Sequence, residues 1–157
     1  MKLMSEVEII PTTEEHLDMM EEQAREIDRT EVWYQTGMPF RYGLDISHQL
    51  STHCWSGFHN GDLVTVGGVC LADIADKTGQ PWLVGTDKVD RAAVPFLRNS
   101  WYYLNKYMKD GYDYLYNHVY DENVSAKRWL TWLGFEMSEP RPHGPFGQSF
   151  RKFEWRR

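Results

Sequence analysis

The chain has 157 residues, 41% of them hydrophobic and 25% charged, a composition that can bury a core and excludes a disordered tail. Its 17 Lys and Arg against 23 Asp and Glu give a net charge of −6, which argues against bulk affinity for nucleic acid, because counterion release needs a basic face. No apolar run reaches the roughly 18–20 residues of a membrane helix, and residues 1–11 show no secretory pattern. Two cysteines, Cys54 and Cys70, do not make a disulfide scaffold and fit a reducing compartment. The charge divides unevenly: residues 1–90 hold six Lys/Arg and sixteen Asp/Glu, residues 91–157 eleven and seven. This split allows a cationic ligand near the first half and an anionic one on the second, or is surface heterogeneity.

In chain order, residues 6–10 read as a short strand closed by Pro11. Thr12 and Glu15 have capping-box spacing, and Leu17, Met20, Ala24 and Ile27 recur at helical spacing, so a helix is expected over 13–29. The acids from Glu14 to Asp28 fall mostly on its solvent side. Residues 30–44, with Gly37, Pro39 and Gly43, read as an ordered loop, followed by a short helix over 45–53. Asn60-Gly61 is a strong hairpin signal, joining strands over 54–58 and 63–72; Gly67-Gly68 in the second marks a bulge or a close backbone approach. After a polar turn over 76–80 comes a strand over 81–86. Pro95 fits a first helical turn, with Leu97, Trp101, Leu104 and Met108 on one face and Gly111 at the end. Residues 112–120 form an aromatic strand, parallel to 81–86 because a helix connects them. Asn123 caps a helix burying Ala126, Leu130 and Leu133, closed by Gly134. Two last strands, 135–139 and 148–155, flank a Pro/Gly-rich loop over 140–147. With no repeat and no linker, a single domain over 1–157 is expected, of α/β class.

The run Asn123-Val-Ser-Ala126-Lys-Arg-Trp-Leu130-Thr-Trp-Leu133-Gly134-Phe135, set in this order of elements, resembles the GNAT acyltransferase superfamily. The resemblance implies an acyl-CoA N-acyltransferase fold, a mixed and mostly antiparallel sheet flanked by helices. Over residues 81–155, Trp82-x-Val84-x-Thr86-Asp87-x-Val89, the tyrosine-rich 112–123 stretch and Gly147-Gln148-x-Phe150 are similar to the internal virion protein A family of tailed phages. That likeness implies a phage protein in the host cytoplasm or associated with the virion, with a part in virion assembly.

The superfamily resemblance implies acetyl-CoA as acetyl donor and an amine acceptor on a small molecule or a host or virion protein. Backbone groups of Leu83, Val84 and Gly85 would meet the pantetheine and acetyl carbonyl. Lys88, Arg91, Ala92 and Ala93 match the pyrophosphate loop, with Arg91 where the superfamily has glycine, and Asn117, Asn123 and Lys127 complete the cofactor set. Anion binding there would use free N–H groups at a helix start. Leu130 occupies the position of a proton-donating tyrosine, so an acid must come from elsewhere. Tyr114, Tyr116, His118 and Tyr120 share one strand face by alternation, which puts Tyr116, His118 and Tyr120 forward as catalytic candidates or as core. His48, His53, Cys54 and His59 match no zinc spacing, so no metal is expected. Two readings stand: an N-acetyltransferase, or a non-catalytic protein of the same shape acting in virion assembly.

Overall fold

A computed structural model describes residues 7–90, 98–100 and 102–157. The chain begins with strand β1 (Val7–Pro11) and three helices, α1 (Glu14–Gln23), α2 (Glu26–Thr36) and α3 (Phe40–Leu50). Strands β2 (Ser51–His59), β3 (Asp62–Asp73) and β4 (Thr78–Gly85) follow, then a 3₁₀ turn, Asp87–Asp90. A π-helical segment, Leu104–Met108, runs into Lys109–Gly111, together α4. Strand β5 (Tyr114–Tyr120), helix α5 (Val124–Trp132) and strands β6 (Glu136–Met137), β7 (Arg141–His143) and β8 (Gln148–Arg156) complete it. The eight strands form one sheet in the order β1-β2-β3-β4-β5-β8-β6, with β7 paired to β8. All neighbours are antiparallel except β4 and β5, which run parallel as expected.

Among the described residues, two main hydrophobic clusters cover the sheet, and a small third joins Val64 and Val89. Leu17, Met20, Leu44, Leu63, Val66 and Val84 pack under α1 and α3; Val69, Leu104, Leu115, Val119, Leu133 and Phe153 pack under α4 and α5. The hairpin at Asn60-Gly61 forms with positive φ at both residues, 50° and 85°. Gly134 closes α5 at φ 98°, and Asn123 caps it by accepting from the Ala126 amide.

Several expected boundaries move. Thr13, not Thr12, caps α1: its hydroxyl accepts from the His16 amide and its own amide donates to His16 Nδ1. The Thr12 hydroxyl is engaged with Ser56 Oγ at 2.9 Å, across to β2. The single helix expected over 13–29 breaks at Ala24 and Arg25, whose ψ angles of 145° and 147° are extended. The break lets Ala24 bridge Thr86 and the Arg25 amide donate to the Gly85 carbonyl at 2.9 Å. The residues after it are helical to Thr36, where Gly37 at φ 67° forms the cap, so the expected 30–44 loop is mostly α2 and α3. β2 begins at Ser51, and the 140–147 loop contains β7. Pro95, Leu97 and Trp101 lie outside the described residues.

Gly67-Gly68 is a close approach of backbones. A Cβ on Gly68 would sit 2.2 Å from the His53 carbonyl oxygen, and one on Gly67 2.7 Å from that of Trp82. Gly68→Ala should therefore lower unfolding stability by about 1–3 kcal/mol, the scale of overpacking. Gly111→Ala, with nothing within 4 Å of the added carbon, should stay within about 0.5 kcal/mol of the parent in the same urea titration.

Candidate functional site

The parallel pair is short. β4 and β5 are in register only at Thr78↔Tyr114 and Gly79↔Leu115, and beyond these positions they diverge. Diverging strands expose backbone N–H and C=O groups that must find other partners. Thr86 donates to the Val64 carbonyl of β3, so by alternation Val84 and Trp82 also turn their peptide groups toward β3, while Pro81, Leu83 and Gly85 turn theirs into the gap.

Side chains satisfy most of these groups. Asn117 Nδ2 donates to the Pro81 carbonyl at 3.0 Å, and Asn117 Oδ1 accepts from the His118 amide at 2.8 Å. Gln35 of α2 donates to the same Oδ1 at 3.1 Å. Asp28 Oδ2 accepts from the Gly85 amide at 2.8 Å, and Glu31 Oε2 from the Tyr120 amide at 2.8 Å. Asp28, Glu31 and Gln35 stand at i, i+3 and i+7, one stripe of α2 laid along the gap. Asp28 is further held by the Arg25 guanidinium through two bonds of 3.0 and 3.1 Å. Between the claimed groups of Pro81 and Gly85 stands the Leu83 peptide, which by the same alternation faces the cleft.

A cavity of about 780 Å³ occupies the gap, with Asp28, Glu31, Leu83, Val84, Asn117, His118 and Leu130 on its wall. That volume suits a small-molecule site. Glu31 is strongly perturbed: burial, with Asp28 nearby, raises its carboxyl to about 7 against the lowering effect of the Tyr120 amide and Asn123. A carboxyl in that range takes or gives a proton near neutrality.

The residues expected to form the site divide. Leu83, Val84, Asn117 and His118 reach the cavity, though Val84 presents only its side chain; Gly85 is not on the wall, and both polar groups of its peptide are taken. Tyr114, Tyr116 and His118 lie in a row on one face, as alternation required, yet Tyr116 is off the cavity wall, stacked on Tyr114 at 5.3 Å with Lys152 over its ring at 5.1 Å. Tyr120 is also off the wall: it is buried against Tyr34 and Phe150 and donates to Glu122, a bond that with burial pushes its phenol up to about 12. His118 stacks on His143 at 3.8 Å, and burial, with His143 and Lys152 beside it, holds its imidazole down at about 4. A neutral imidazole of that kind is a poor base at neutral pH. Asn123, besides capping α5, turns its amide to Asp28 and Glu31 at 3.5 and 3.4 Å. Lys127 is paired with Asp121 at 3.0 Å. Lys88 sits in the 3₁₀ turn, and Arg91, Ala92 and Ala93 lie outside the described residues.

Asp28 and Glu31 were missed as site residues. Asp28, read as part of a solvated face, is 2% exposed. The available signal was the polar i, i+3, i+7 stripe, hidden because the helix was ended at 29.

No family model matches the sequence, and no curated protein matches it. Solved structures do. The spermidine N-acetyltransferase of Vibrio cholerae, solved in complex with CoA and spermine, superposes with a TM-score of 0.69 at 10% identity, over 96% of this chain and 95% of that one. The ribosomal-protein-S18-alanine N-acetyltransferase of Escherichia coli gives a TM-score of 0.64 at 11% identity, over 96% and 94%. The chain has the GNAT acyl-CoA N-acyltransferase fold. The cleft between β4 and β5 therefore lies in a fold shared with N-acetyltransferases.

Glu31 makes stability depend on pH. Its folded-state value lies above its ordinary 4.5, so the native state holds the extra proton between about 4.5 and 7, and this contribution to stability is lost as pH rises through that window. Glu31→Gln keeps an acceptor for the Tyr120 amide without the charge. Relative to the parent, the variant should gain stability on the order of 2–3 kcal/mol between pH 5 and pH 8, read by urea unfolding at both. An unchanged difference would place Glu31 at an ordinary value.

Proposed function

We propose that the protein is an acetyl-CoA-dependent N-acetyltransferase acting on an amine of a small molecule or protein. The observation that carries this reading is the Glu31 carboxyl, tuned to about 7, on the wall of the same cleft as the inward-facing Leu83 peptide, in a fold that N-acetyltransferases share. The phage resemblance supports a host-cytoplasmic or virion-associated setting for it.

Bound acetyl-CoA would supply an activated acetyl thioester. For this chain's part, the Leu83 amide faces the cleft as a donor for a carbonyl oxygen that gains negative charge. Lys88, in the turn after β4, brings a positive charge to the side where phosphates would lie. Glu31, when ionised, accepts the proton of an acceptor ammonium, whose free pKa is near ~10. Asn123 and the Tyr120 amide hold that carboxylate in position through Oε2, while Arg25 neutralises Asp28 beside it. Leu130 on the wall gives no proton. Tyr103, also on the wall, is held protonated by burial and by Tyr107 and Tyr102 and can serve as a donor.

Isothermal titration with acetyl-CoA is the first test, and binding is expected; absence of binding together with no turnover on an amine panel would favour the non-catalytic reading. Glu31→Gln should lower kcat by about 10²–10⁴-fold and remove an ionisation near pH 7 from the rate profile, with acetyl-CoA affinity retained. Tyr116→Phe, off the cavity, should leave kcat within about twofold. If Tyr116→Phe lowers kcat as Glu31→Gln is expected to, the proton path runs along β5 instead.

A further inference from the structure

A second cavity, of about 290 Å³, lies under the β7–β8 hairpin, walled by His118, Ser138, Arg141, Pro142, His143, Phe150 and Lys152. Its wall holds two cationic side chains, two imidazoles and no carboxylate. Arg141 has no ion-pair or side-chain hydrogen-bond partner among the described residues, whereas Arg25, Arg41, Arg151 and Arg157 are all paired. Lys152 is shared with Glu154 at 3.6 Å, and Glu154 is held by the Tyr114 hydroxyl at 2.5 Å, outside the wall. The pocket is thus left with an uncompensated guanidinium.

The hairpin that carries Arg141 and His143 is firmly seated. Gly144, at φ 81°, brings its backbone so close to α2 that a Cβ there would sit 2.2 Å from the Tyr34 carbonyl oxygen. Phe146 packs on the Trp33 and Tyr34 rings at 5.3 and 6.3 Å. His143 stacks on His118, and His118 lines both this pocket and the large cleft. The His118 side chain is therefore common to the wall of the cationic pocket and the wall of the cavity that holds Glu31.

We propose that this pocket binds the anionic group, a carboxylate or a phosphate, of the acceptor whose amine meets Glu31. The inference rests on the acetyltransferase reading and specifies its substrate class: an amine that bears an anion several bonds away, reaching past His118. Arg141 presents two parallel N–H donors to such a group, and Lys152 adds a point charge.

Two measurements test it. The first compares kcat/KM for an ω-aminocarboxylate, an ω-aminoalkyl phosphate and the alkylamine of equal length. One or both anionic acceptors should exceed the alkylamine at least tenfold, and the larger ratio names the anion. Arg141→Ala, on an exposed strand, should lower that ratio at least fivefold, and Arg141→Lys should keep part of it. A ratio near one in the parent, or a ratio unchanged in Arg141→Ala, overturns the proposal. The second is independent of turnover: inorganic phosphate, titrated into the protein, should shift the imidazole NMR signals of His118 and His143 with saturation in the millimolar range, and should not in Arg141→Ala. No saturating shift in the parent also overturns it. If no amine is acetylated and acetyl-CoA does not bind, the acetyltransferase reading falls while the phosphate titration still decides the pocket.

Discussion

Two parallel strands that part company leave peptide groups facing a gap instead of each other, and the structure between β4 and β5 is organised around that demand. Inside a protein each unpaired N–H or C=O costs about as much as a lost hydrogen bond, so a cleft of this kind persists only where other groups take over. Here Asn117, held by Gln35 of α2, spans the gap at its narrow end, and α2 supplies Asp28 and Glu31 further out. The break at Ala24 and Arg25 follows from the same demand. A helix continuing straight from α1 would not bring Asp28 to Gly85, nor let the Arg25 amide reach the Gly85 carbonyl.

Meeting backbone needs with carboxylates creates an electrostatic problem. Asp28 and Glu31 lie one helical turn apart, and both are drawn into the protein by the groups they serve. They are compensated unequally. Asp28 has the Arg25 guanidinium in a two-point contact, and Glu31 has only neutral donors, the Tyr120 amide and Asn123. Neutral donors offset part of the desolvation of a carboxylate and a guanidinium offsets more, so the raised value falls on Glu31. Two like groups in one site are thereby differentiated by their surroundings: Asp28 is tied to a guanidinium and a backbone amide, and Glu31 lines the cavity with neutral donors only.

Local chemistry was legible in the sequence wherever the signal and its cause lie within a few residues. Asn60-Gly61 and the Asn123 and Gly134 ends of α5 are of this kind, because turn and cap geometry depend on the residues that form them. The order of elements, and through it the fold, was legible as well. The cap of α1 was ambiguous between adjacent threonines, and a contact 44 positions away, Thr12 to Ser56, settled it. The acid stripe of α2 was illegible for the same reason: Asp28 and Glu31 are drawn inward by amides 57 and 89 positions along the chain. Lys127 and Tyr116 match expected positions in sequence and on the strand face, yet Asp121 and Lys152 engage them elsewhere.

For the proposed acetyl transfer, a leucine at position 130 in place of a tyrosine-type acid would bear less on the rate than the presence of Glu31, and magnitudes decide this. An aliphatic ammonium with a pKa near ~10 is deprotonated to roughly one part in a thousand at pH 7, so a positioned base relieves a deficit of about 10³. A thiol has a pKa near ~8.5, so its thiolate leaves without full protonation, and water or a neighbouring phenol completes the transfer afterwards. An acetyl transfer that keeps its base and loses its acid thus gives up the smaller of two proton-transfer advantages. The cleft has the matching asymmetry. On the α2 side, an ionisable carboxyl is held by two donors. On the α5 side, Leu130 lines the wall beside Ala126, Trp129 and Leu133, an apolar stretch with no acid of its own.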